Sequence, residues 1–247
     1  MPNLEKVDMR QILEKKKRLD PEQRAKAENI VQNGQFKDWV VSTASEILLI
    51  HGNFRDGNQK VSALSSFCAT LTEALRADRC FLPLIFFCGS HLDNDPCAGG
   101  FSMIVSLVVQ LLSQQDFDMR LLPYEVYDAL DRWGDISAFC SLFEWLLCQL
   151  PDDVTVFCLI DGAVYYEREE FVHDMSEVLA DILEMSTDGR LPVIFKVLVT
   201  SPTPTTVVRL PFEVDGALLS IEAMPSRQWQ PSESRTQREI AQRLSTS

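Results

Sequence analysis

Four near-continuous apolar runs mark the chain, and each ends on polar or small residues. Ile47–Ile50 runs into His51-Gly52, Leu82–Phe87 into Cys88-Gly89, Val154–Ile160 into Asp161-Gly162, and Val193–Val199 into Thr200-Ser201-Pro202. Leu218–Ile221 is a shorter fifth run. Runs of this kind, bounded by turn residues, are what strands look like when both faces of a sheet are covered. Between them lie longer stretches with apolar residues at helical spacing: 61–77 (Leu64, Phe67, Cys68, Leu71, Leu75), 101–114 (Ile104, Leu107, Val108, Leu111, Leu112), 136–149 (Phe139, Cys140, Phe143, Leu146, Leu147) and 169–185 (Phe171, Met175, Val178, Leu179, Ile182, Leu183). Alternating strands and helices predict an α/β three-layer sandwich around a mainly parallel sheet of about five strands.

The flanks read differently. Residues 1–45 are charged and helix-friendly, with a thin stripe of Leu4, Val7, Ile12 and Leu13, so they are expected to form a helical lead-in packed on the main domain. Asp20-Pro21 divides this segment and suits a second helix, with Asp as cap and Pro at the first position. The α/β domain is expected over 46–225. Residues 226–247 are polar, with four Arg, and read as a mobile tail that has room for a short helix over Ser234–Leu244.

Composition narrows the function classes. The net charge of −13 disfavours phosphate backbones, so neither nucleic acid nor membrane is expected as a partner. The N-terminus lacks an apolar signal core, and no apolar stretch reaches the ~18 residues of a membrane span, which makes a cytoplasmic protein the expectation. The seven cysteines include no CxxC pair, and several lie inside apolar runs, as expected of reduced, buried thiols.

The candidate chemistry lies at the strand ends, where ligands bind in parallel sheets. After the first run the chain reads Gly52-Asn53-Phe54-Arg55-Asp56-Gly57-Asn58-Gln59-Lys60-Val61-Ser62. A phosphate-binding loop needs GxxxxGK[ST] between a strand and a helix, so that backbone N–H groups wrap the phosphates, Lys neutralises charge and Ser/Thr holds magnesium. Gly52 and Gly57 have the required spacing. Asn58 and Gln59 stand where Lys and Ser/Thr should be, while Lys60 and Ser62 come late. Two residues on a helix rotate a side chain by roughly 200°, which would turn Lys60 away unless the helix starts later. The alternative is a polar turn in which Asp56 or Asn58 caps the helix. Asp161 ends an apolar strand, as a magnesium-shell acid does, and equally suits a turn cap. The next acid, Glu167, is too far along to orient a water.

The ordered set of motifs resembles the fungal STAND-class NTPases, the NACHT and nephrocystin-3-like P-loop group. Trp39 stands thirteen residues before Gly52, like that group's lead-in Trp. Leu84–Cys88 resembles the second strand, Ser106–Leu112 the Ser-Leu-x-x-Gln-Leu-Leu helix, Ile160-Asp161 the Walker B strand and Lys196–Pro202 the sensor strand. The resemblance spans residues 36–222 and implies strand order 5-1-4-3-2. It also implies ATP or GTP with magnesium as the cofactor of a competent loop, with Gly52, Gly57, Lys60, Ser62 and Thr200 around the nucleotide and Asp161 at the metal. The departures cluster on chemistry: Asn58 and Gln59 in Walker A, no acid directly after Asp161, and Pro202 in place of the sensor Arg. The expectation is therefore a non-catalytic binding or scaffold module on a degenerate P-loop fold, a pseudo-NTPase with a protein partner and no bound cofactor. The alternative is an active or residual ATP/GTP-binding NTPase.

Two further motifs carry candidate chemistry. Cys88 and His91 are close enough in sequence for a nucleophile–base pair, although a buried Cys is the plainer reading. His91-Leu92-Asp93-Asn94-Asp95 lacks the full calcium-loop pattern and is expected to be a solvated loop.

Overall fold

A computed structural model of the protein describes residues 3–54, 60–130 and 135–223. The expected tail, with its Ser234–Leu244 helix, lies outside these residues. The five predicted strands are present as β1 (Glu46–His51), β2 (Phe81–Phe87), β3 (Thr155–Asp161), β4 (Ile194–Ser201) and β5 (Leu218–Ser220). They form one fully parallel sheet in the order β2-β3-β4-β1-β5, the order that the resemblance implies.

The lead-in folds as α1 (Leu4–Lys15), α2 (Pro21–Glu28) and α3 (Gly34–Val41), followed after β1 by α4 (Ala63–Leu75). Between β2 and β3 come α5 (Gly99–Gln114), α6 (Tyr124–Leu130) and α7 (Ile136–Cys148); α8 (Val172–Thr187) joins β3 to β4, and α9 (Arg209–Val214) joins β4 to β5. Among the described residues, no helix is long and apolar enough to cross a membrane.

Alternate residues of each strand feed two separate cores, which is why the strands read as continuous apolar runs. Leu84, Phe86, Cys158, Ile160, Val197 and Val199 face α5, α7 and α8. Leu48, Ile50, Ile85, Phe87, Phe157 and Leu198 face the lead-in and α4. On the second face Trp39 is buried, its indole N–H donating to the carbonyl of Glu46 at 3.2 Å and its ring meeting Phe157 edge-on. Burial of each large side chain here contributes roughly 2–3 kcal/mol.

Asp20 caps α2 as expected, accepting from the N–H of Gln23 at 2.9 Å with Pro21 at the first position. The expected stripe of α1 is rotated. Val7 is 47% exposed, and the buried face comprises Glu5, Asp8, Met9 and Ile12. Two acids on that face find partners in Arg76 and His91, so a pattern of apolar residues alone misplaces it. Helices α6 and α9 were not expected. Pro211 falls within α9, but in its first turn, where a missing N–H costs no helical bond.

Candidate functional site

Strand register builds the site. Asp161 lies between Phe87 of β2 and Thr200 of β4, and Thr200 in turn lies beside Ile50 of β1. At this carboxyl edge the Asp161 side chain is buried (1% exposed) and accepts a 2.6 Å hydrogen bond from the Thr200 hydroxyl. The Ser65 hydroxyl of α4 also favours its charged form. Burial pushes the Asp161 carboxyl up to about 6, against the opposing pull of these two hydroxyls. Cys68 Sγ lies 3.7 Å from Thr200 Oγ1 and closes the polar chain. The turn-cap alternative for Asp161 is corrected: its bonds come from side-chain hydroxyls of other elements rather than from backbone N–H groups.

Ser62 is the residue that caps α4. Its Oγ accepts from the N–H of Ser65 at 3.1 Å, while Ser65 Oγ accepts from the N–H of Ser62 at 3.0 Å, a reciprocal capping box. Neither Asp56 nor Asn58 fills that role, since the helix begins only at Ala63. Asp56, Gly57, Asn58 and Gln59 lie outside the described residues. Because the helix starts late, Lys60 precedes it and is not carried around by helical rotation. Its ammonium points to the loop after β2, 3.9 Å from Asp93.

Three strand-end loops meet through glycines. At Gly52 a Cβ would come within 3.0 Å of the Pro202 carbonyl and 3.2 Å of the Phe54 ring, so the absent side chain admits that buried ring beside β1. At Gly89 a Cβ would lie 2.2 Å from the Lys60 carbonyl oxygen and 2.9 Å from Tyr165. Gly162, at φ 77°, adopts the left-handed conformation that lets the chain leave β3 under the same tyrosine. Beside Gly52 an open groove of about 540 Å³ is lined by Asn53, Phe54, Asp20, Glu22, Lys26 and Glu222, among others. Its three carboxylates outnumber its one lysine, and Lys26 is already paired with Glu22 at 2.9 Å.

Glu167 has a definite place. Its carboxylate accepts from the N–H groups of Thr206, Val207 and Val208 at 2.7–2.9 Å and from the Thr206 hydroxyl at 3.0 Å, just ahead of α9. The partners are some forty residues away, and no sequence spacing announces them.

The solvated-loop reading holds for the exposed Asp93 and Asn94 but not for His91 and Leu92, which are buried. His91 is 4% exposed; Nε2 lies 2.8 Å from Asp8 of α1, and Nδ1 lies 3.0 Å from Asp95. Burial alone would lower its pKa, but the bonds to Asp8 and Asp95 outweigh that and raise it. With both ring nitrogens committed, His91 is no base for Cys88, whose thiol is fully buried and pushed far up by desolvation. Asp8, near the start of α1, was the missed signal, visible only once α1 is docked.

Neither a curated protein nor a solved structure matches the chain. A family model described as nephrocystin 3, N-terminal, matches residues 26–201, from within α2 to the end of β4, a span that includes four of the five strands and every strand-end contact of Asp161. By that match over most of its length, the chain belongs to the nephrocystin 3 N-terminal family.

Proposed function

We propose that this protein is a non-catalytic binding or scaffold module, built on a P-loop-type sheet whose phosphate grip has been converted into internal packing. The observation that supports it most is Asp161. A magnesium-shell acid has to offer a charged oxygen to the metal or its waters. Here the carboxylate is sealed among Ser65, Thr200 and Cys68, and burial favours its neutral form up to about pH 6. Lys60 adds to this, with its carbonyl against Gly89 and its ammonium toward Asp93. Glu167, the first acid after Asp161, is spent on the backbone before α9. The groove beside Gly52 is lined mainly by carboxylates, which repel phosphate.

A second reading keeps residual ATP or GTP binding with magnesium, using Gly52, Lys60, Ser62 and Thr200 around the nucleotide and Asp161 toward the metal. The late start of α4 favours it, because it leaves Lys60 free of helical rotation. Titration of the full chain with a fluorescent ATP or GTP analogue, with and without magnesium, separates the two. The scaffold reading expects no saturable signal up to about 1 mM nucleotide. Saturable, magnesium-dependent binding that Asp161→Asn abolishes would establish the second reading instead.

A further inference from the structure

Helices α1 and α4 leave an open groove of about 600 Å³ between them. Its floor is apolar, made by the buried Met9 and the half-buried Leu13. Its rim is basic. Lys6, Arg10 and Lys17 follow one another along a single face of α1 and the turn after it, and Arg76 closes the groove from the end of α4. Arg76 is fixed, 3.8 Å from Glu5 and 3.5 Å from the Met9 sulfur. Lys6 donates to Asn3. Arg10 and Lys17 are exposed and form no ion pair among the described residues.

This basic face is out of character for the chain. Four basic residues line the groove, Lys6, Arg10, Lys17 and Arg76, against two acidic ones, Glu14 and Glu73, on a chain whose net charge is −13. A local excess of unpaired cations over an apolar floor, on an otherwise acidic molecule, is an electrostatic footprint for an anionic partner. Glu14 and Glu73 also line the groove, and they oppose a continuous row of phosphates. The same two carboxylates oppose the continuous negative charge of an anionic bilayer. A helix with one apolar stripe and discrete acidic residues suits it: its stripe covers Leu13 beside the buried Met9, and its carboxylates reach Arg10 and Lys17 at positions clear of Glu14 and Glu73.

The geometry points to the α1–α4 groove as the docking site for an acidic amphipathic helix of a partner protein. This holds whether or not the strand-end site binds nucleotide. The test is fluorescence anisotropy on the full chain with a labelled model peptide of repeating Glu-Leu-Leu-Glu pattern. Binding should weaken about tenfold or more in the Arg10→Glu/Lys17→Glu double variant and be unchanged by Arg120→Glu outside the groove. A scrambled peptide of the same composition should bind at least about fivefold more weakly, since the apolar stripe is lost. Both reversed side chains are exposed, and circular dichroism confirms that the variant is folded. Equal binding by wild type and double variant would overturn the proposal, as would equal binding of the scrambled peptide. Tighter binding of a DNA duplex or of phosphatidylserine vesicles than of the peptide would overturn it in favour of those partners.

Discussion

Asp161 shows what a single buried acid does to stability. Its carboxyl is held near 6, above the ordinary 3.8. Between those two values the folded chain binds the proton more tightly than the unfolded chain does, so this residue makes stability fall as pH rises from about 4 to 6 and then level off. Asp161→Asn removes the titration while leaving an oxygen to accept from Thr200. Its stability relative to wild type should therefore rise by on the order of 2–3 kcal/mol between pH 4 and 7 in urea unfolding. An unchanged difference across that range would show that Asp161 is not the sealed acid described. His91 has the opposite sign. Its folded pKa is raised, so its bonds to Asp8 and Asp95 stabilise fully below its ordinary value of 6.5 and fade as pH rises through the folded value. His91→Gln should cost most at pH 5–6 and progressively less toward alkaline pH, read from denaturant midpoints at matched pH. A penalty independent of pH would mean that the ring acts through packing on Phe86 alone.

Among the elements, the start of α4 links fold to site. The Ser62–Ser65 box satisfies two otherwise orphaned N–H groups, and Ser65 also bonds Asp161. Ser62→Ala should cost about 1 kcal/mol, the usual value of a cap. Ser65→Ala should cost more, because it also leaves a buried carboxylate short of a donor. Equal losses in the two variants would break the link between cap and acid. Gly89→Ala should destabilise by roughly 2 kcal/mol or more, since its Cβ would collide with the Lys60 carbonyl, which cannot swing aside as a flexible side chain can. The strands were legible in the sequence because a sheet covered on both faces leaves little besides apolar residues between its turns. The helices α5, α7 and α8 were legible from apolar residues at helical spacing, and so was α4, although α4 is buried on nearly every side, its small polar residues included. The face of α1 was not, because Glu5 and Asp8 count as polar in any pattern until Arg76 and His91 are in place. The Ser62 cap is not singled out by sequence, because Asp56 and Asn58 stand nearer the first strand and are equally good cap residues. The contacts of Glu167 and His91 join segments tens of residues apart, and nothing in their spacing signals the meeting.

For the whole molecule, five parallel strands carry helices on both faces while the carboxyl edge of the sheet closes on itself. Gly52 admits Phe54, Gly89 admits the Lys60 backbone, and Asp161 turns to internal hydroxyls. The α1–α4 groove has a net basic lining on an acidic chain, whereas the groove beside Gly52 is lined mainly by carboxylates, so the proposed anionic partner is expected at the first rather than the second. The central claim is that the strand-end site no longer grips phosphate. A ligand that binds only the folded chain must raise its melting temperature, by an amount set by RT ln(1 + [L]/Kd). The decisive measurement is the thermal unfolding of the full chain with ATP or GTP at about 5 mM and magnesium in excess. The account predicts a melting temperature within about 1 °C of the nucleotide-free protein. A magnesium-dependent rise of several degrees that saturates with nucleotide and disappears in Asp161→Asn would contradict it.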